Sequence, residues 1–192
     1  RWVFADGPVA DQLILVTGGA GRVGHYAIQW AHRAGARVIA TASNETDATA
    51  CREAGAEAVV NHRESDWGKA VLDLTGGHKI DRVIEVEFGA NLPELIRCVG
   101  IGATIATYSS TVVPEPALPF RTMMFMDLTI RMVIVYAMPE AAKAQAVADT
   151  QVALTEGGLR HRIAETLPFD QMAKAHEIIE EGSVRGCVVV TI

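Results

Sequence analysis

LILVTGGAGRVGHYAIQWA, residues Leu13 to Ala31, puts four glycines within seven positions between an apolar run and a segment of helical periodicity. Its first part, LILVTG, is a short run rich in β-branched and aliphatic residues, the pattern of a strand buried on both faces. HYAIQWAHRAG then repeats apolar residues at helical spacing until Gly35 stops it. Between the two, Gly19-Ala20-Gly21-Arg22-Val23-Gly24 matches G-x-G-x-x-G. A bare match is weak, but this one leaves a strand and opens a helix, as a dinucleotide fingerprint requires. Without side chains the backbone can turn sharply and approach a pyrophosphate, and the free N–H groups and positive dipole end of the helix favour the anion.

The same alternation continues outward. RVIATA reads as a second strand, and a helix capped by Ser43 and Asn44 runs to Gly55. AEAVVN is the third strand, SDWGKAVLDLTGG a helix, DRVIEV the fourth strand, and NLPELIRCVG a helix with Pro93 in its first turn. GATIATYS and LTIRMVIVY supply strands five and six. Strands separated by helices pair in parallel, because the helix is the crossover. The expectation is an α/β fold with a doubly wound, six-stranded parallel Rossmann sheet. The loop from Ser109 to Pro119, with three prolines, reads as irregular. A long helix then ends at Gly157-Gly158, and RHRIAETLPF, DQMAKAHEIIEEG and CVVVTI form an α+β tail with no place in that sheet. Residues 1–158 are read as the dinucleotide-binding domain and residues 159–192 as a separate segment.

The bulk numbers exclude several classes. The 192 residues carry a formal charge of −6, which argues against a basic surface for nucleic acid. Charges interrupt the apolar stretches too often for a membrane span. Cys51, Cys98 and Cys187 are odd in number and lack CxxC spacing, so they read as reduced thiols and imply no metal. Without a visible leader the expected location is cytoplasmic, although a start at Arg1 reads like the interior of something longer.

The end of the second strand addresses cofactor choice. An Asp or Glu there bonds the ribose 2′-hydroxyl of NAD, whereas a 2′-phosphate requires room and positive charge. Here the chain reads Ala42-Ser43-Asn44, with Arg22, His62 and Arg63 as candidate cations. Other chemistry is sparse: there is no GxSxG or HExxH. Glu85 and Glu87 read as a solvated pair at a strand end, and His25 and His32 as surface or packing histidines.

TGGAGRVGHYAIQWAHRAGARVIATAS, REAGAEAVVNHRES, DRVIEVEFGANL and AHEIIEEGSVRG resemble, in order and spacing, the zinc-independent quinone oxidoreductase (zeta-crystallin-like) branch of the medium-chain dehydrogenase/reductase family. The resemblance runs from about Phe4 to the C-terminus. It implies NADPH as cofactor, with NADH possible, and hydride transfer to a quinone or other activated enone or carbonyl. It places Gly21, Arg22, Val23 and Gly24 on the pyrophosphate, and Ser43 and His62 beside the 2′-phosphate. Asn91, Tyr108, Ser109 and Ser110 fall at the ribose and nicotinamide, and Met132, Val133 and Ile134 beside the nicotinamide amide.

Two departures stand out. Some relatives carry a lysine for the 2′-phosphate where this chain has Asp47. The family also has a GroES-like catalytic domain ahead of the Rossmann domain, which the tail from about Arg160 would complete; without it, catalytic residues are unassigned and this chain alone should turn over poorly. The resemblance leaves an enoyl-thioester reductase domain open as an alternative. A non-catalytic dinucleotide- or RNA-binding module is the other, although charge and the 6% aromatic content disfavour RNA. The apolar sixth strand implies a homodimer formed edge to edge.

Overall fold

The computed structural model describes residues 2–182 and 184–192. Six strands form one parallel sheet: β1 (Leu13–Val16), β2 (Arg37–Ala42), β3 (Ala58–Asn61), β4 (Ile80–Glu85), β5 (Val99–Thr107) and β6 (Thr129–Met132). Their order is β3-β2-β1-β4-β5-β6. Chain direction across the sheet therefore reverses between β1 and β4, where Leu15 lies opposite Val83. The crevice outside the carboxyl ends of two such strands is where doubly wound sheets bind ligands.

Alternation along the strands explains why both faces are covered. Ile14 and Val16 of β1, Val38 and Ala40 of β2 and Ile84 of β4 pack with Ile28 and Ala31 of α1 (Arg22–Arg33) and Cys51 of α2 (Glu45–Glu53). Leu15, Ile39, Val83 and Ile105 face the other way, onto Val71 of α3 (Trp67–Leu74) and Leu92 and Leu95 of α4 (Phe88–Cys98). Successive strand residues thus feed two cores, which is why the strands read as unbroken apolar runs.

Two local expectations are corrected, and one element that the sequence reading leaves unassigned is added. The sixth strand stops at Met132 instead of running through Tyr136, so of the three candidate residues there only Met132 is in the strand. Val133 N–H makes the last ladder bond, to Thr107 O at 2.8 Å, and β5 ends at Thr107, so nothing remains for Ile134 to pair with. Pro93 sits at the sixth residue of α4 rather than in its first turn, because the helix begins at Phe88. A short helix, α5 (Phe120–Phe125), follows the proline-rich loop and buries only Met123.

The tail contains α6 (Glu140–Thr155), β7 (Ile163–Pro168), α7 (Met172–Glu181) and β8 (Cys187–Thr191). β7 and β8 pair in parallel as a separate two-stranded sheet, with α7 as the crossover. Among the described residues no helix is long and apolar enough to cross a membrane.

Candidate functional site: the crevice at the carboxyl end of the sheet

The glycine loop is held by β2. Gly18 N–H donates to Thr41 Oγ1 at 3.0 Å and Gly19 N–H to Thr41 O at 2.9 Å. Gly18 takes φ +58°, in the left-handed region that suits glycine, and Gly21 N–H closes the turn onto Gly18 O at 2.9 Å. α1 starts after Gly21 with no side-chain cap. The first-turn N–H groups of a helix have no partner within it, so at Arg22, Val23 and Gly24 they are left for a ligand. Gly24 is buried against the loop, and a Cβ there would lie 2.3 Å from Gly18 O. The cradle therefore fits a diphosphate group and admits no side chain at its base.

At the opposite side of the crevice, β4 ends in Glu85, which is fully buried. One of its oxygens, Oε1, accepts the Glu87 N–H and, at 2.8 Å, Asn91 Nδ2; Oε2 has no partner among the described residues. Burial raises its pKa, opposed by the bonds from Asn91 and the Glu87 N–H. Glu87 lies outside the strand and accepts the N–H groups of Thr111, Val112 and Val113 at 2.8, 3.0 and 3.4 Å. These two acids are thus not a solvated pair: one pins Asn91, and the other ties the proline-rich loop to α4. The loop also consumes donors of the α4 N-terminus, since Phe88 N–H goes to Ser109 O and Gly89 N–H to Ser110 Oγ. That helix start is therefore filled, whereas that of α1 is open.

Between this loop and the end of β6 lies a mostly apolar cleft of about 380 Å³. Tyr108, Ser109, Ser110, Met132, Val133 and Ile134 line it together with Phe88 and Leu118. The structure therefore gathers these six candidates into one cleft, while Asn91, on α4, lies outside its lining and is bound to Glu85. Ser43 and His62 lie at the other wing, just past β2 and β3, where His62 N–H bonds Ala42 O at 3.1 Å.

The tail reaches this wing. His25 is buried on α1 and its Nε2 donates to Arg160 O at 3.1 Å, while Gln29 exchanges two bonds with the Arg160 main chain. Burial lowers the His25 pKa, partly offset by that bond to Arg160. Arg162 then donates to Ala20 O in the glycine loop at 2.8 Å and to Asp47 Oδ1 at 3.0 Å. Arg185 Nε stands 3.5 Å from Asp47 Oδ2. Burial alone would raise the Asp47 pKa, but Arg162, Asn44 and Arg185 outweigh it and hold the carboxyl below its ordinary range. Sequence reasoning found Asp47 but missed these arginines; the only signal was the basic run Arg160-His161-Arg162.

Residues 23–150 match the family model described as zinc-binding dehydrogenase. The chain belongs to this family, the medium-chain dehydrogenases/reductases. A quinone oxidoreductase from Pongo abelii is 30% identical over 176 residues, covering 91% of this chain and 52% of that protein. Among solved structures, an NAD-dependent alcohol dehydrogenase aligns with TM-score 0.84 at 29% identity, over 99% of this chain and 54% of that one. The Escherichia coli quinone oxidoreductase complexed with NADPH aligns with TM-score 0.85 at 21% identity, over 100% and 62%. The chain thus spans about half the length of the curated relative. Despite the family's name, the described residues contain no group of three or more His, Cys, Asp or Glu side chains that could hold a metal ion.

Proposed function

We propose that this chain is the cofactor-binding part of an NADPH-dependent oxidoreductase that transfers hydride to a quinone or other activated enone or carbonyl. The observation that carries the reading is the uncapped α1 N-terminus beneath a glycine loop, facing an apolar cleft across the β1–β4 switch point. Gly21, Arg22, Val23 and Gly24 would hold the pyrophosphate by main-chain N–H groups, and Ser43 and His62 would border the adenosine ribose. Asn91, fixed through Nδ2 by Glu85, keeps its amide oxygen for a ribose or carboxamide donor. Tyr108, Ser109 and Ser110 on one side and Met132, Val133 and Ile134 on the other would flank a nicotinamide ring, which when bound supplies the hydride. The apolar lining excludes water from that ring, and orientation of donor against acceptor supplies much of the rate. Residues 159–192 we read as a segment of a second, catalytic domain that would complete the acceptor pocket.

Calorimetric titration of the chain with NADPH and NADH tests the reading. Micromolar or tighter binding of NADPH is expected, and absence of heat or fluorescence change with both nucleotides would overturn it.

The edge of the sheet supports a homodimer. β6 is the terminal strand, and beside it Met132 and Tyr136 are 78% and 85% exposed. An unpaired apolar edge of this kind is ordinarily covered. Sedimentation at micromolar concentration should give twice the 20.6 kDa chain mass; a Met132→Lys variant should sediment as a monomer.

A further inference from the structure

A doubly wound dinucleotide site reads the adenosine ribose at the end of its second strand, with a free carboxylate for a 2′-hydroxyl or an arginine for a 2′-phosphate. This chain has both residue types there, and its fold resembles those of an NAD-dependent alcohol dehydrogenase and of a quinone oxidoreductase complexed with NADPH alike. The fold therefore does not decide between them. The local chemistry does.

Asp47, in the first turn of α2, has no oxygen to offer. Its Oδ1 accepts Arg162 Nη2 at 3.0 Å, and its Oδ2 accepts Asn44 Nδ2 at 3.0 Å with Arg185 Nε 3.5 Å away. Its side chain is only 5% exposed. The neighbouring acids are also spent: Glu45 pairs with Arg52 at 2.6 Å, and Glu64 accepts the Asn61 amide at 3.1 Å. Against one buried carboxylate stand two guanidinium groups, with Arg63 on the next strand end, where burial and Arg63 push His62 toward its neutral form. The cluster carries an excess of positive charge at the wing where a 2′-substituent would lie.

The tail builds this cluster with some precision. β7 and β8 pair with Ile163 opposite Cys187, and Cys187 N–H donates to Arg162 O at 2.7 Å, which lays Gly186 against Arg162 and brings Arg185 to the same Asp47. Gly186 takes φ +121°, and a Cβ there would lie 2.5 Å from Arg162 O, so only glycine permits this approach. Arg162 is fixed by two bonds, to the glycine loop and to Asp47. Arg185 is 53% exposed and held by one long contact, so it can turn to an arriving anion.

We propose that the tail's Arg162 and Arg185 determine cofactor specificity: Arg162 neutralises Asp47 against the glycine loop, and Arg185 receives the 2′-phosphate of a phosphorylated dinucleotide. This rests on the dinucleotide reading above and supplies its phosphate selectivity. The test is titration of the chain with NADPH, NADH, 2′,5′-ADP and 5′-AMP, wild type against Arg185→Gln and Arg185→Lys, with melting curves to confirm folding. Loss of one charge-assisted contact should weaken NADPH and 2′,5′-ADP roughly 10-fold or more and NADH and 5′-AMP less than about 2-fold. Arg185→Lys should keep most of the preference. In Asp47→Asn the NADPH preference over NADH should rise, because a negative charge is removed and both arginines remain.

An equal loss for both nucleotides in Arg185→Gln, or no loss for either, would overturn the inference, as would a wild-type chain that binds NADPH and NADH alike. A wild-type chain that binds neither would instead overturn the dinucleotide reading beneath it.

Discussion

Gly24→Ala should lower NADPH affinity by about 100-fold or more. A Cβ at this position would stand 2.3 Å from Gly18 O and 2.9 Å from both Gly18 C and Gly19 Cα, so every obstacle is main chain. Relief requires the loop to lift away from α1, and that motion breaks the 2.9 Å turn bond from Gly21 N–H to Gly18 O. The N–H groups that would grip a diphosphate then lose their common aim, and anion binding at a helix start depends on that convergence. Overpacking should also cost about 1–3 kcal/mol of stability. Calorimetry with NADPH and a thermal melt read the two effects separately. Unchanged affinity in a folded Gly24→Ala chain would remove the glycine loop from the site. Gly19 is confined differently: its Cβ would meet Ala40, Cys51 and Ile28 side chains at 2.9 Å, so substitution there should be felt first in the core.

The doubly wound sheet was legible because its signals are local and repeated. β-branched runs, helical spacing and Asn44 as an N-cap each point to one element, and the structure confirms that Asn44 Oδ1 accepts the Asp47 N–H at 2.9 Å. Errors fell where partners from distant sequence decide the outcome. LTIRMVIVY has strand composition throughout, yet a strand lasts only as long as its neighbour, and β5 ends at Thr107. Glu85 and Glu87 look alike in sequence. The first is buried because β4 ends inside the switch point, and the second is claimed by loop N–H groups some 25 positions onward. Arg162 reaches Asp47 across 115 positions, a pairing no local pattern encodes. The cofactor wing was thus half visible: its glycines announce themselves, while its charge balance is assembled by the tail.

Long-range charge also anchors the start of the chain, and Asp6→Ala should be the most destabilising of the substitutions considered. Arg82 on β4 is only 6% exposed in its side chain and donates through Nη1 and Nη2 to both Asp6 oxygens at 2.8 Å, with a further bond to Val3 O at 3.0 Å. Arg131 approaches the same carboxylate at 3.3 Å and lies over the Trp2 ring at 4.5 Å, so Asp6 draws the N-terminal segment onto two strands. Removing the carboxylate strands a buried guanidinium, which costs about 3 kcal/mol, or a fall of roughly 6–12 °C in Tm for a chain of this size. The Arg82 bond holds the Asp6 pKa below 3.8, with burial opposing it. A depressed carboxylate stabilises the fold above its unfolded pKa, and that contribution disappears as pH falls through the folded value. Wild type should therefore lose its advantage over Asp6→Ala below about pH 4. Asp6→Ala combined with Arg82→Met should recover part of the loss, because the unpaired charge is gone. An Asp6→Ala chain that melts within about 1 °C of wild type at pH 7 would show instead that water already satisfies Arg82.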